Sequence, residues 1–182
     1  MGRSMTSVIN SNIELKTGNW LLVVGGRAIV PTLLKMTARL AETGPVRVID
    51  CGNVFDPYTA GNGTRGGLKV LKRIQVSKAS SCHAVLETLE KLASEPAPFI
   101  VLDLLRTFHH TNVEIDERKR LLRLSLEELN RLKRGAEGLV SVHPPKVLCQ
   151  AESDLLEIVT RAAKDTYHVE MALPVFSFAG RI

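Results

Sequence analysis

Short runs of aliphatic residues alternate along the chain with segments in which apolar residues recur every three or four positions. The aliphatic runs are typical of strands buried on both faces of a parallel sheet, and they lie at residues 20–24, 46–50, 74–77, 99–103 and 139–142. Helical spacing is found at residues 31–42, 83–94, 117–134 and 152–164. This alternation predicts an α/β domain in which crossover helices connect a mainly parallel sheet.

The two ends of the chain have different patterns. Residues 166–180, TYHVEMALPVFSFAG, alternate like two strands that turn at Pro174, so we expect a C-terminal antiparallel hairpin on one edge of the sheet. Residues 1–14 are expected to be an N-terminal extension, either a cloning remnant or a disordered segment, and residues 15–182 to form a single domain. The glycine-rich residues 60–67, AGNGTRGG, predict a loop.

Composition and charge exclude several classes of protein. The chain has 182 residues, of which 45% are hydrophobic and 24% charged, values that fit one globular domain and argue against disorder. Its three cysteines form no Cys-x-x-Cys pair, so neither a disulfide framework nor a zinc site is indicated. The sequence has neither an apolar run of the roughly 18 residues that cross a bilayer nor a signal peptide, which predicts a cytoplasmic protein with no membrane partner.

The end of the first predicted strand has the outline of a phosphate-binding loop. Residues 25–32, GGRAIVPT, align with the pattern G-x-x-x-x-G-K-[ST] at Gly25 and Thr32, but Pro31 stands where the lysine would be. Proline suits the first turn of a helix but supplies no charge. Arg27 is the candidate to replace that charge, and the alternative is a strand-to-helix turn that binds nothing.

The order of the strand-end motifs resembles the ATPase core of RecA-like recombinases. The resemblance is carried by GGRAIVPT, VIDCGNVFDP, RIQVSKASSCHAVLETLEKL, FIVLDLLRTF and GLVSVHPP, and it covers about residues 15–172. It implies a three-layer RecA-like P-loop NTPase fold in which FIVLD is a Walker B strand that ends at Asp103. The family's catalytic glutamate falls on Gly52, and its phosphate-sensing glutamine falls near His143.

These correspondences imply a degenerate nucleotide site. The candidate nucleotide-binding residues are Gly25, Gly26, Arg27, Thr32, Asp103 and His143. Mg-ATP is the implied cofactor, and Thr32 and Asp103 would hold the magnesium ion only if nucleotide binds. No catalytic residue is identified, because the loop lysine and the glutamate are both absent and phosphoryl transfer depends on positioning and charge. Asp50 and Asp56 are nearby carboxylates that could substitute for the glutamate.

The positive charge of the chain is concentrated near the third predicted helix, at residues 117–134. Residues 117–134 contain seven basic and three acidic residues, whereas the whole chain has a formal net charge of +5. In RecA-like recombinases the loops after the fourth and fifth strands approach DNA. The predicted nucleic-acid-binding residues are therefore Arg106, His109, His110, Arg118, Lys119, Arg120 and Arg123. The alternative is a solvated helix face whose cations interact with the helix dipole.

The function implied by the resemblance is that of an ATPase-deficient accessory protein in DNA recombination and repair. Its expected partners are DNA and either a RecA-like paralogue or further copies of the same chain. Two alternatives remain open. One is a slow ATPase in which Arg27 replaces the lysine, and the other is a protein-interaction module that needs no nucleotide.

Overall fold

A computed structural model describes residues 15–62, 64–92, 96–144 and 149–169. The strands are β1 Trp20–Val24, β2 Val46–Asp50, β3 Ile74–Lys78, β4 Phe99–Leu102, β5 Gly138–Val142 and β6 Asp165–His168. The α-helices are α1 Val30–Thr43, α2 Pro57–Gly61, α3 Leu68–Leu71, α4 Cys82–Lys91, α5 Ile115–Leu132 and α6 Gln150–Ala162. Two 3-10 helices, Arg27–Ile29 and Leu104–His109, follow β1 and β4. The N-terminal extension predicted for residues 1–14 lies outside the described residues.

The described strands form one six-stranded sheet in the order β3-β2-β4-β5-β1-β6, and every neighbouring pair is parallel. The predicted α/β class with a mainly parallel sheet is therefore confirmed. The four central strands β2, β4, β5 and β1 are made almost entirely of buried residues, which explains why they read as unbroken aliphatic runs.

The antiparallel addition predicted at the C-terminal edge is wrong for the part that the structure describes. Strand β6 runs parallel to β1, with Leu21 opposite Asp165 and Val24 opposite His168. The reason is the connection: α6 returns the chain across the sheet before β6 begins, as a parallel pairing requires. The second predicted strand, beyond Pro174, lies outside the described residues.

Helices cover both faces of the sheet. On one face, a buried apolar cluster joins the strands to α1, α2 and α3 through Leu33, Leu34, Ala38, Ala60 and Val70. On the other face, a second cluster joins them to α4, α5 and α6 through Val85, Leu89, Leu122, Leu126, Leu155 and Val159. None of the helices in the described ranges is long and apolar enough to span a membrane.

The direction of the connections defines where a site can lie. The chain leaves β1 toward α1 on one face, whereas it leaves the neighbouring strand β5 toward α6 on the other face. Strands β2 and β4 are neighbours that diverge in the same way. In open parallel sheets ligands bind in the crevices that such divergent connections leave at the carboxyl ends of the strands. The predicted residues Gly25, Gly52, Asp103 and His143 all lie at this edge.

The glycine-rich segment is partly helical. Helix α2 extends to Gly61, where an added Cβ would be 3.4 Å from Cδ1 of Leu71. Asp56 caps α2 with its side chain, and Pro57 occupies the first turn. The chain then turns at Gly67, which has a φ of +50° that favours glycine, and enters α3. Position 63 lies outside the described residues.

Candidate functional site

The turn after β1 is short and closed. The N–H of Gly25 donates to the carbonyl of Val142 at 3.1 Å and so continues the sheet. Only Gly25 and Gly26 separate β1 from the 3-10 helix that begins at Arg27, and the N–H of Ile29 donates back to Gly26 at 3.1 Å. A phosphate cradle needs a run of backbone N–H groups that turn toward the anion. This turn has little length for such a cradle.

The chain after β6 packs over the same turn. Val169 donates its N–H to the carbonyl of Val24 at 2.8 Å, and its Cβ lies 3.1 Å from the position that a Cβ on Gly25 would occupy. A side chain at position 25 would therefore require Val169 to move by a few tenths of an ångström. The P-loop-like glycine thus has a packing role that needs no nucleotide.

The remaining loop residues predicted to bind nucleotide lie around the start of α1. Arg27 is exposed in the 3-10 helix, Pro31 is exposed in the first turn of α1, and Thr32 is half-buried. The structure thus places a mobile guanidinium near the turn, but it leaves that charge in solvent. Among the described residues no group of three or more His, Cys, Asp or Glu side chains could hold a metal ion.

Asp103 follows β4 with an unusual backbone. Its φ of 55° and ψ of 52° are left-handed, a conformation that is uncommon for residues other than glycine. Its N–H donates to Oγ of Ser141 at 2.9 Å, and the Ser141 hydroxyl donates to the carbonyl of Val101 at 3.4 Å. Sequence analysis missed Ser141, which ties the end of β4 to β5 and fixes the position of Asp103.

The structure brings Asp103 and His143 together. Burial raises the pKa of the Asp103 carboxyl, and the positive charge and backbone N–H of His143 oppose that rise. Arg106 and His109 act in the same direction from farther away. Asp103 is thus a partly desolvated carboxyl with cationic neighbours, and such groups are found at functional sites more often than elsewhere.

Gly52 packs directly against Asp103. A Cβ on Gly52 would lie 2.8 Å from Cβ and 2.9 Å from Oδ2 of Asp103, closer than non-bonded atoms approach. The side chain of Asp103 therefore fills the space in which a side chain at position 52 would begin. The next residue, Asn53, is also left-handed, with a φ of 53°, and its Oδ1 accepts a hydrogen bond from Nζ of Lys78 at 3.0 Å.

The two carboxylates that could replace a glutamate at position 52 have structural roles. Asp50 is 1% exposed, and its oxygens accept the N–H groups of Val54 at 3.0 Å and Phe55 at 2.9 Å. Asp56 caps α2, and hydrogen bonds from Thr59 lower the pKa of its carboxyl. A general base works best with a pKa near the operating pH. The lowered pKa of the Asp56 carboxyl is unfavourable for that role, and both oxygens of Asp50 are already engaged by backbone N–H groups.

The basic residues of α5 are largely engaged within the protein. Arg118 is only 8% exposed and donates from Nη1 to the carbonyl of Phe108 at 3.0 Å. Lys119 pairs with Asp154 of α6 at 2.6 Å, and Arg120 pairs with Glu117 at 2.7 Å. Arg123 is exposed and lines a groove of about 190 Å³ whose other residues are Lys119, Asp154, Glu157, Ile158 and Arg161. The charge excess counted along this helix is therefore much smaller at its surface.

The residues predicted to contact DNA before α5 lie in different environments. Arg106 and His110 are exposed. His109 instead faces α6, with Nδ1 3.8 Å from Oε1 of Glu152, and both of its ring nitrogens are buried without a hydrogen-bond partner within the described ranges. Burial lowers the pKa of this histidine. His109 thus lies at the junction of the 3-10 helix and α6.

A second basic region is missed by counting charges on α5. Residues 57–86 contain Arg65, Lys69, Lys72, Arg73 and Lys78 and no aspartate or glutamate. The sequence signal was the absence of acids over this stretch. The structure places the region at α2, α3 and β3, on the edge of the sheet.

Comparison with known proteins supplies no assignment. No model of a known protein family matches the chain, and no curated protein matches it in sequence. Function therefore has to be inferred from the residues at the strand ends and on the surface.

Proposed function

We propose that this chain is a RecA-like accessory protein of DNA recombination and repair, acting in the cytoplasm without hydrolysing ATP. It would act by binding nucleic acid, other RecA-like subunits or further copies of itself. The parallel sheet with helices on both faces is compatible with such a core. The link to recombination depends on the resemblance of the strand-end motifs to RecA-like recombinases.

The observation that carries the proposal is the contact between Gly52 and Asp103. The resemblance assigns position 52 to the carboxylate that activates the attacking water, but here the Asp103 side chain lies where that residue's Cβ would be. Such a general base orients the nucleophile in phosphoryl transfer. This site lacks the general base, and the space in which its side chain would begin is filled.

The turn after β1 supports the same conclusion. Pro31 replaces the lysine, and the two-residue turn at Gly25 and Gly26 is closed by bonds to Val142 and by the packing of Val169. Positive charge near the outer phosphates is a main source of transition-state stabilisation in ATPases. Arg27 is the nearest candidate for that role, and its exposure makes its contribution easy to test.

The test is a pair of titrations with magnesium-ATP, one by calorimetry and one by phosphate release. We expect no turnover above background from the wild-type protein, and no further change in Arg27→Ala. Lys35→Ala is the matched control, since Lys35 is an exposed cation on α1. Turnover that Arg27→Ala and Asp103→Asn abolish but Lys35→Ala retains would refute the proposal and establish a slow ATPase.

Partner binding is tested separately. Sedimentation equilibrium over a range of protein concentrations detects self-association, and fluorescence anisotropy with labelled DNA detects nucleic-acid binding. A constant monomer mass together with no DNA binding and no association with a RecA-like recombinase would contradict the accessory role. The chain would then be better described as a nucleotide-independent interaction module.

A further inference from the structure

Several exposed cations lie around α3 and β3. Of the five basic residues in residues 57–86, Arg73 has a structural role, since its Nη1 donates to the carbonyls of Ala41 at 3.3 Å and Glu42 at 2.8 Å. Arg65, Lys69 and Lys72 are exposed. Within the described ranges no carboxylate forms an ion pair with any of these three. Their charge is therefore available to a partner.

The α3–β3 region differs from α5 in how its cations are paired with carboxylates, and not in how many cations it has. Lys119 and Arg120 each have a carboxylate at hydrogen-bond distance, and Arg118 is buried. Residues 57–86 contain no acidic residue, and Arg65, Lys69 and Lys72 form no ion pair among the described residues. An uncancelled patch of one sign attracts polyanions and raises their association rate.

The same region exposes surface that can contact a partner. Among the described strands β3 is at the edge of the sheet, with β2 as its one neighbour, and it exposes Gln75, Val76 and Lys78. On the neighbouring short helices the side chains of Tyr58 and Leu68 are 83% and 77% exposed. A tyrosine ring in solvent offers a face on which an unpaired base can stack.

We propose that this α3–β3 surface, defined by Tyr58, Arg65, Lys69, Lys72 and Lys78, binds single-stranded nucleic acid. Mobile cations would contact the phosphates, and Tyr58 would stack on a base. Proteins that bind single strands without sequence preference combine these two features. An extended acidic peptide fits less well, because strand addition relies on apolar pockets for alternate side chains and β3 exposes mainly polar residues here.

The inference rests on the nucleic-acid part of the proposed function, but not on whether the protein binds or hydrolyses ATP. It places the contact on a different surface from the α5 face that the sequence suggests. The prediction has a magnitude: three to four phosphate contacts on a single strand give a slope of log K against log salt of about −2 to −3. Loss of two contacts should reduce that slope by about 1.4.

The experiment is fluorescence anisotropy with a labelled oligothymidylate of about 20 nucleotides, which exceeds the usual site size, at several salt concentrations. The test variant is Lys69→Glu with Lys72→Glu, and the matched control is Arg120→Glu with Arg123→Glu on α5. We expect the test pair to weaken binding about tenfold or more and to flatten the salt slope, while the control pair changes either little. Tyr58→Ala should weaken binding about fivefold or more without changing the salt slope.

Each other outcome is decisive. Weakening by the α5 pair alone would overturn this inference and leave nucleic-acid binding by the protein intact. Equal weakening by both pairs would mean general charge attraction, and it would also overturn the inference. No binding by the wild-type protein would refute both the inference and the nucleic-acid part of the proposed function. Competition by polyglutamate as effective as by unlabelled DNA, with no effect of Tyr58→Ala, would favour an acidic protein and refute a nucleic-acid site.

Discussion

Replacing Gly52 with alanine should destabilise the protein, because the new Cβ would overlap Asp103. The built Cβ lies 2.8 Å from the Asp103 Cβ, whereas non-bonded carbon atoms prefer about 3.5 to 4.0 Å. The overlap of roughly 0.7 Å or more cannot be relieved by a simple rotation, since it involves the first side-chain atom of Asp103 and therefore its backbone. That backbone is held by the 2.9 Å hydrogen bond from the Asp103 N–H to Ser141.

The expected cost is that of overpacking a filled site, about 1 to 3 kcal/mol. For a chain of this length each kcal/mol lowers Tm by about 2 to 4 °C. Urea denaturation gives the free energy of unfolding, and a thermal scan gives Tm. Gly44→Ala is the control, since Gly44 is extended and a Cβ there would meet no atom within 4 Å. It should change stability little or raise it slightly.

A double-mutant cycle tests the cause. Asp103→Gly removes the obstructing Cβ and places glycine in a left-handed position. In that background Gly52→Ala should cost almost nothing, so the coupling free energy should approach the full cost of the single substitution. Additive effects of the two changes would refute the overlap. They would also remove the main structural argument against a catalytic carboxylate at position 52.

Three further predictions concern groups outside this contact. Arg118→Ala should lower the free energy of unfolding in urea by about 1 to 3 kcal/mol, because it leaves the buried Phe108 carbonyl without its donor; unchanged stability would show that the bond is dispensable. The pKa of His109 is lowered in the folded protein, so on acidification this histidine is protonated in the unfolded state first. The free energy of unfolding should therefore fall as pH drops below about 6.5. A His109→Gln variant with the same pH dependence would contradict this assignment. Iodoacetamide should modify the exposed Cys149 in the native protein but leave Cys51 unmodified, since burial raises the pKa of the Cys51 thiol; mass spectrometry of the labelled peptides gives the result, and native labelling of Cys51 would contradict it.

Much of the fold could be predicted from the sequence because its signals are local. The strands at residues 20–24 and 46–50 coincide with β1 and β2, since each is an aliphatic run that ends beside glycine, cysteine or proline residues. The direction of β6 could not be predicted in this way. Its alternating residues fit either direction, and the return of the chain through α6 makes it parallel to β1.

The position of the candidate residues at the strand ends could be predicted, but the packing between them could not. Strand-end reasoning placed Asp103 and His143 at one edge, and the structure brings them into contact. The approach of Gly52 to Asp103 depends on register: Asp50 lies opposite Leu102 in the β2–β4 pair, so the residues two and one positions further on meet. The residue motifs alone do not give the register between two strands whose first partners, Arg47 and Phe99, are 52 positions apart.

The charge on α5 illustrates a different limit. A count along the helix gives an excess of cations, but it omits the partner of Lys119, which is Asp154 on α6, 35 positions later. It also omits the burial of Arg118 against the carbonyl of Phe108. Which cations remain unpaired at the surface depends on the folded structure. In residues 57–86 the sequence count and the structure agree for Arg65, Lys69 and Lys72, which form no ion pair among the described residues.

The strand-end site, formed by Gly52, Asp103 and His143, is linked to the α3–β3 surface through Lys78. This link determines which substitutions on the surface test nucleic-acid binding alone. Lys78 ends β3 and donates to Oδ1 of Asn53 at 3.0 Å, and Asn53 has a left-handed backbone next to Gly52. Charge reversal at Lys78 would therefore disturb the turn that packs against Asp103 as well as the basic surface. Lys69 and Lys72 have no such bond among the described residues; Lys69 lies on α3 and Lys72 follows its last residue, near the end of the β2–β3 connection. A loss of nucleic-acid binding in these two variants can accordingly be attributed to the surface itself, and an unchanged free energy of unfolding would verify that the strand-end site is intact.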